Sequence, residues 1–219
     1  MMLDIQVNGG GGLLFNDLKD IDEFLFIEKT HFDTGSFIVP TFITDSFENL
    51  KRFVDIVVER IKLNESLYPL WAIHLEGPFI TNKGTHPEKY LLKFNEENVT
   101  TFLELLKPIR DILPIYFTIA PELITDIDLF IKFKRSFKNI TVSAGHTKIT
   151  KDDFKDLQNR LGDDSIKMLT HFHNAMLEGH FKGEIDGIPS YVFEYGWDGY
   201  LGLITDGQHT NSGELLPTL

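Results

Sequence analysis

The segment FENLKRFVDIVVERIK (residues 47–62), followed closely by LWAIHLE (residues 70–76), indicates the fold class most directly. Apolar residues of the first part recur at the 3.6-residue period of an amphipathic helix. They are Leu50, Phe53, Val54, Val57, Val58 and Ile61. The second part is a short apolar run that ends before Gly-Pro, which is typical of a buried strand. A helix that leads into a buried strand predicts a βαβ arrangement with a parallel sheet.

The same alternation continues along the chain. Short runs rich in β-branched and aromatic residues predict seven strands: Leu3–Asn8, Ser36–Thr41, Leu70–Glu76, Ile115–Ala120, Ile140–Ala144, Lys167–Phe172 and Tyr200–Thr205. Further helical patterns cover Asn95–Leu106, Thr125–Ser136 and Thr150–Leu161. We therefore expect an α/β fold, a (β/α)8 TIM-type barrel in a single domain over residues 1–219, that lacks its eighth strand. The chain is also shorter than the roughly 250 residues typical of this fold.

Composition excludes several classes of partner. The chain has 21 basic and 33 acidic residues, a net charge of −12, which disfavours nucleic acid and anionic membranes. It has no cysteine, so any metal must be held by His, Asp or Glu. Neither a signal-peptide pattern at residues 1–12 nor an apolar run near the ~20 residues of a membrane span is visible, so we expect a cytoplasmic protein.

Polar residues gather where the predicted strands end, which is where barrel active sites are built. Glu76 ends the third strand, His146 follows the fifth, and His171 lies at the end of the sixth. One carboxylate and two imidazoles from converging strands predict a three-ligand metal site with an open position, as in catalytic zinc centres. The alternatives are a surface loop acid at Glu76 and histidines that only donate structural hydrogen bonds.

Other candidate residues have simpler interpretations. His74 and His173 lie two residues from Glu76 and His171, and either orient a ligand or are buried, hydrogen-bonded side chains. His31 and His180 have no supporting pattern and are expected at the surface. The glycines at residues 9–12 lack the Lys and Ser or Thr of a phosphate-binding loop, so a tight turn is favoured over an anion site.

Seven motifs in order along the chain resemble those of the N-acetylglucosamine-6-phosphate deacetylase family of the amidohydrolase superfamily. They are DIQVNGGGG (residues 4–12), PTFITDS (40–46), HLEGPF (74–79), KGTHPEKY (83–90), SAGHT (143–147), THFHNAM (170–176) and TDGQH (205–209). Each motif alone is weak, whereas the ordered set is specific and covers nearly the whole chain.

The resemblance implies a metal-dependent hydrolase that cleaves the N-acetyl amide of an amino-sugar phosphate, releasing acetate in amino-sugar catabolism. The family's metal ligands fall on Glu76, His146 and His171, for one divalent ion, with zinc as the expected metal. Its substrate contacts fall on His86, Asn174, Ala175 and His209, where the simpler interpretation of His86 is an exposed loop residue. A homodimer is also implied.

The sequence departs from the family pattern at three places. The family's general base is an Asp at the end of strand eight, and this chain has no matching residue, which leaves Asp206 as a weak substitute. We also expect residues 1–219 to lack the family's small β domain. Lys182 stands where the family has an Arg for the sugar phosphate, and a lysine lacks the bidentate fork of arginine. Two alternatives follow: a truncated remnant that binds metal or sugar phosphate without turnover, and an amidohydrolase for another N-acyl sugar.

Overall fold

A parallel β-sheet carries the fold of this protein, for which a computed structural model describes residues 2–63, 68–177 and 186–204. Seven strands form the sheet in the order β1-β4-β5-β6-β7-β8-β9. Their bounds are β1 Met2–Val7, β4 Ser36–Ile43, β5 Ile73–Glu76, β6 Ile115–Ile119, β7 Ile140–Ala144, β8 Met168–Leu169 and β9 Tyr200–Leu201. The pairs β1–β4, β4–β5, β7–β8 and β8–β9 are parallel. A short antiparallel hairpin, β2 Gly9–Gly10 with β3 Leu13–Leu14, follows β1.

Six α-helices lie between the strands in the described part of the chain. They are α1 Ile21–Asp33, α2 Phe47–Lys62, α3 Glu96–Leu106, α4 Ile127–Arg135, α5 Lys151–Leu161 and α6 Ile188–Tyr195. Side chains cap four of their N-termini, because Asp20, Ser46, Asn95 and Thr150 each accept a hydrogen bond from the backbone N–H three residues later. These caps mark where the four helices begin.

The described residues divide into two compact units, and the first comprises residues up to 78, 86–117 and 128–141. Its core is rich in phenylalanine. Phe133 packs against Phe117 at 5.0 Å and against Phe94 at 5.6 Å between ring centroids, and Phe42 packs against Phe53 at 5.2 Å. Such aromatic contacts add to the free energy gained by burial. This core anchors β4 and β5, the strands that lead to Glu76.

Of the described residues, the second unit comprises 79–85, 118–127, 142–177 and 186–204. In it α5 packs against α6, with Phe154 and Tyr191 edge to face at 5.1 Å. Three buried hydroxyls join the strands: Thr170 Oγ1 lies 2.7 Å from Thr118 Oγ1 and 2.6 Å from Ser143 Oγ. This hydroxyl cluster (Thr118, Ser143 and Thr170) fixes the strand ends from which His146 and His171 emerge.

The α/β barrel-type alternation is confirmed, and all seven predicted strands are present. Their bounds differ most at β5, which begins at Ile73 instead of Leu70, and at β8 and β9, which have two residues each. Helix α2 has the predicted bounds. Helices α1 and α6 and the β2–β3 hairpin were not predicted. In the described residues no helix combines the length and the apolar character needed to cross a membrane.

Candidate functional site

Glu76 is the last residue of β5 and lies opposite Ile43 of β4 in the parallel register. Only 3% of its surface is exposed, so its interpretation as a surface loop acid is wrong. Gln6 Nε2 donates a hydrogen bond of 3.1 Å to Glu76 Oε1, and Thr44 Oγ1 donates one of 3.1 Å to the Glu76 carbonyl. These contacts fix both the strand end and one oxygen of the carboxylate.

His86 lies close to the same carboxylate. Its Nε2 is 3.9 Å from Glu76 Oε2, and the residue is only 5% exposed. Its interpretation as an exposed loop histidine is therefore wrong. A buried carboxylate beside a buried imidazole is costly unless the charges are compensated, and such pairs are enriched at functional sites.

His146 and His171 face each other within the second unit. The two Nε2 atoms are 3.0 Å apart, with the rings nearly perpendicular at 83°. Both residues are 6% exposed. The structure therefore brings together the two histidines that the sequence predicted as metal ligands.

Hydrogen bonds to backbone carbonyls fix the tautomers of this pair. His146 Nδ1 donates to the Asn82 carbonyl at 2.7 Å, and His171 Nδ1 donates to the Asn174 carbonyl at 3.1 Å. Because a carbonyl oxygen only accepts, each Nδ1 carries a hydrogen, and a ring without a second hydrogen has its lone pair on Nε2. The two Nε2 atoms face each other at 3.0 Å, a separation at which they can share one proton or a cation.

This donor set fits a metal ion. Metal-binding histidines commonly donate their other ring N–H to a carbonyl or carboxylate, as both histidines do here. A tetrahedral zinc with Zn–N distances of about 2.0–2.1 Å holds two nitrogens about 3.3 Å apart, a few tenths of an ångström more than the observed separation. Two opposed lone pairs are also unfavourable without a cation or a shared proton between them.

The backbone at both histidines is left-handed. His146 has φ 49° and His171 has φ 33°, and His173 and Ala175 also have positive φ values of 75° and 54°. Non-glycine residues rarely adopt this conformation, and where they do the surrounding structure must hold them. The preceding residue illustrates that constraint, because a Cβ at Gly145 would lie 2.8 Å from Thr118 Cγ2 and 3.0 Å from Thr170 Cβ.

Glu122, which the sequence analysis did not single out, fixes the loops next to His146. It follows β6, and its carboxylate accepts hydrogen bonds from the Thr81 hydroxyl, the Thr147 hydroxyl and the Lys148 N–H, the last at 2.7 Å. Its position in the sequence could have indicated it, because Glu122 closely follows a predicted strand and Glu76 was chosen for its place at the end of one.

The substrate residues predicted around the sixth strand end are partly described. Asn174 and Ala175 are half-buried, and their carbonyls are engaged by His171 Nδ1 and by the Thr147 N–H at 3.0 Å. Lys182, Asp206 and His209 lie outside the described residues, as does His180, so their predicted placements stay predictions.

The remaining candidates match their simpler interpretations in part. His74 is buried at 1% exposure, and His173 is half-buried with its ring 4.3 Å from that of Phe172. His31 is half-buried and its Nε2 is 2.9 Å from the Gly9 carbonyl oxygen, so it packs on the turn instead of standing free at the surface. The glycines from Gly9 onward form that β2–β3 turn, as expected.

Comparisons with known proteins agree on one family of enzymes. No protein-family model matches the chain. An N-acetylglucosamine-6-phosphate deacetylase of Haemophilus influenzae is 31% identical over 216 residues, which are 97% of this chain and 52% of the relative. An N-acetylgalactosamine-6-phosphate deacetylase of Shewanella sp. is 28% identical over 220 residues, covering 95% of this chain and 50% of the relative.

Solved structures extend the match to the fold. The crystal structure of N-acetylglucosamine-6-phosphate deacetylase from Pasteurella multocida matches with a TM-score of 0.78 at 28% identity, over 97% of this chain and 52% of that one. This chain spans about half the length of the curated relatives that it matches. The resemblance drawn from the seven motifs is thus confirmed, and over nearly its whole length this chain is similar in sequence and fold to N-acetylglucosamine-6-phosphate deacetylases.

Proposed function

We propose that this chain carries the metal site of a hydrolase that cleaves the N-acetyl amide of N-acetylglucosamine 6-phosphate to acetate and glucosamine 6-phosphate. The observation that carries the proposal is the opposed pair of imidazoles, His146 and His171, with Nε2 atoms 3.0 Å apart. The ordered motifs and the names of the relatives supply the substrate class.

We propose Glu76, His146 and His171 as the ligands of one divalent ion, with zinc as the expected metal. The chemistry of the buried residues supports a metal, since Glu76 offers carboxylate oxygens and His146 and His171 each offer one imidazole nitrogen. When bound, such an ion supplies Lewis acidity toward an amide carbonyl and lowers the pKa of a water molecule.

The other groups have binding and positioning roles in this proposal. Gln6 and His86 orient the Glu76 carboxylate, and His86 also contacts the sugar. Asn174, Ala175 and His209 contact the substrate, and His209 stabilises charge on the amide oxygen. Lys182 binds the phosphate as a point charge. Asp206 is the candidate in this chain for the carboxylate that takes a proton from water and passes it to the leaving amine.

Two other functions are alternatives. The relative from Shewanella acts, by its name, on N-acetylgalactosamine 6-phosphate, so an amidohydrolase for another N-acyl sugar is one of them. The other alternative is a protein that binds metal or sugar phosphate without turnover, which an acetate-release assay separates from the enzyme.

Acetate release tests the proposal. The zinc-loaded 219-residue chain is incubated with N-acetylglucosamine 6-phosphate, with N-acetylgalactosamine 6-phosphate and with unphosphorylated N-acetylglucosamine. We expect release from the first substrate that disappears in His146→Ala. His31→Ala is the matched control, because it removes an imidazole that contacts a backbone carbonyl of the β2–β3 turn.

Each result separates the candidates. Faster release from the galactosamine derivative favours the second sugar, and equal release from the unphosphorylated sugar removes the role of Lys182. A folded chain that binds zinc and releases no acetate identifies a binding protein. A folded chain that binds no zinc contradicts the proposed metal site.

We also propose a homodimer, by the same resemblance. Sedimentation equilibrium of the zinc-loaded chain is expected to give twice the monomer mass, and a monomeric mass over the accessible concentration range contradicts it.

A further inference from the structure

Glu122 occupies a connecting position in the second unit. The residue directly follows Pro121 after β6, and its two carboxylate oxygens accept hydrogen bonds from two different segments. Oε1 accepts from the Thr81 hydroxyl and from the Lys148 N–H, and Oε2 accepts from the Thr147 hydroxyl. Thr81 belongs to the segment of residues 79–85, here called the β5 loop, whereas Thr147 and Lys148 follow β7.

The β5 loop makes the contacts that orient His146. The N–H groups of Thr81 and Asn82 both donate to the His146 carbonyl, at 3.1 and 2.8 Å, and the Asn82 carbonyl accepts from His146 Nδ1 at 2.7 Å. A Cβ at Gly84 would lie 3.1 Å from His146 Cε1, so the loop also packs closely against the ring. Movement of this loop by a few tenths of an ångström would therefore move the imidazole.

We propose that Glu122 is a positioning residue that ties the β5 loop to the segment after β7, so that the Asn82 carbonyl keeps His146 Nε2 directed at the metal. The inference rests on the proposed metal site. Glu122 itself contacts neither metal nor substrate in this scheme and acts only through Thr81, Thr147 and Lys148.

The chemistry of the three donors explains why a carboxylate is needed. Two hydroxyls and one amide N–H converge on two oxygens, and an ionised carboxylate accepts all three in charge-assisted hydrogen bonds. Glutamine has the same shape but replaces one oxygen with an N–H₂ donor, so the hydroxyl that faces this group must turn to accept from it, and all three bonds lose their charge assistance. Loss of such indirect ligand support typically lowers metal affinity about 10–100-fold.

Metal affinity measures the effect without relying on turnover. The Kd for Zn²⁺ is determined by competition with a chromophoric chelator, and the Co²⁺ form is compared by its visible absorption spectrum. We expect Glu122→Gln to weaken Zn²⁺ binding about tenfold or more and to alter the Co²⁺ spectrum. Glu104→Gln is the matched control, because that glutamate is 65% exposed and its removal changes charge equally.

A second pair of variants keeps the test independent of the folding of Glu122→Gln. Thr81→Val removes the hydroxyl that donates to Glu122 and also lies 3.5 Å from the His146 carbonyl oxygen, whereas Thr81→Ser retains it. We expect weakened Zn²⁺ binding in Thr81→Val and near-parental binding in Thr81→Ser.

Parental affinity and spectrum in Glu122→Gln, or equal affinities in the two Thr81 variants, would overturn the inference alone. A parent chain that binds neither Zn²⁺ nor Co²⁺ would overturn the proposed metal site and this inference together.

Discussion

Replacing Gly145 by alanine is expected to damage the proposed metal site through steric pressure on the backbone before His146. The added Cβ would lie 2.8 Å from Thr118 Cγ2 and 3.0 Å from Thr170 Cβ, where ordinary contacts begin near 3.4 Å. Thr118 is 0% and Thr170 is 1% exposed, and their hydroxyls bond to each other, so neither side chain can simply turn away. The backbone at Gly145 must therefore move, and His146 with it.

The size of the effect follows from these distances. Overpacking a filled core costs about 1–3 kcal/mol. The loss of glycine's freedom in the unfolded chain offsets about 0.4–1 kcal/mol of that cost. The net loss of about 1–2 kcal/mol corresponds to a melting temperature lower by about 2–8 °C for a chain of this length. A shift of about half an ångström at a ligand also weakens metal binding, because sites tolerate only about 0.5 Å of misplacement.

Melting followed by circular dichroism and a Zn²⁺ competition titration check both parts. Gly162→Ala is the matched control: φ at Gly162 is +55°, and nothing lies within 4 Å of its added Cβ. That variant should lose stability through backbone strain alone and keep parental Zn²⁺ affinity. If Gly145→Ala melts and binds Zn²⁺ like the parent, or loses stability with no change in affinity, the reasoning about the backbone before His146 is refuted.

Three further predictions concern buried polar groups. Arg60→Met leaves the Glu28 carboxylate buried without its 2.8 Å partner and should cost about 3–5 kcal/mol near neutral pH, read from urea unfolding. Burial raises the pKa of Glu28 above 4.5, against the opposing contribution of Arg60, so the folded state holds this proton more tightly and stability declines as pH rises through the raised pKa. Glu28→Gln cannot titrate at this position, so the difference in unfolding free energy between variant and parent should shift in favour of the variant as the pH rises from acid to neutral. A difference that does not change with pH contradicts this. Thr170→Val removes the shared partner of Thr118 and Ser143 and should cost about 1–3 kcal/mol in urea unfolding, whereas Thr170→Ser should cost less; equal losses contradict the role of the hydroxyl.

Periodicity predicted the elements with long, regular patterns and missed those without them. Helix α2 has sixteen residues with one apolar stripe and a Ser46 cap, so its bounds were readable. Helix α6 has only eight residues, begins with proline near its first turn, and is rich in Tyr, Val and Phe, which favour strands. Helix α1 exposes half of Phe26 while burying Phe24 and Ile27, which blurs its stripe.

The proximity of two candidate site residues was predictable because side-chain identity carries the chemistry. His146 and His171 end strands, and their pairing followed from that position. The carbonyls of Asn82 and Asn174 that fix the two tautomers could not be found this way, since every residue has a carbonyl and only the folded backbone selects which one is near. Burial of His86 depends likewise on packing between segments distant in sequence.

Left-handed backbone at His146 and His171 has a consequence for how such a sequence changes over time. A non-glycine residue in this conformation costs about 1–3 kcal/mol, which glycine would not incur. Selection for stability alone would thus favour glycine at both positions, and only selection for the imidazoles opposes it. A lineage that had ceased to bind metal would be expected to lose these two histidines sooner than residues of its phenylalanine core.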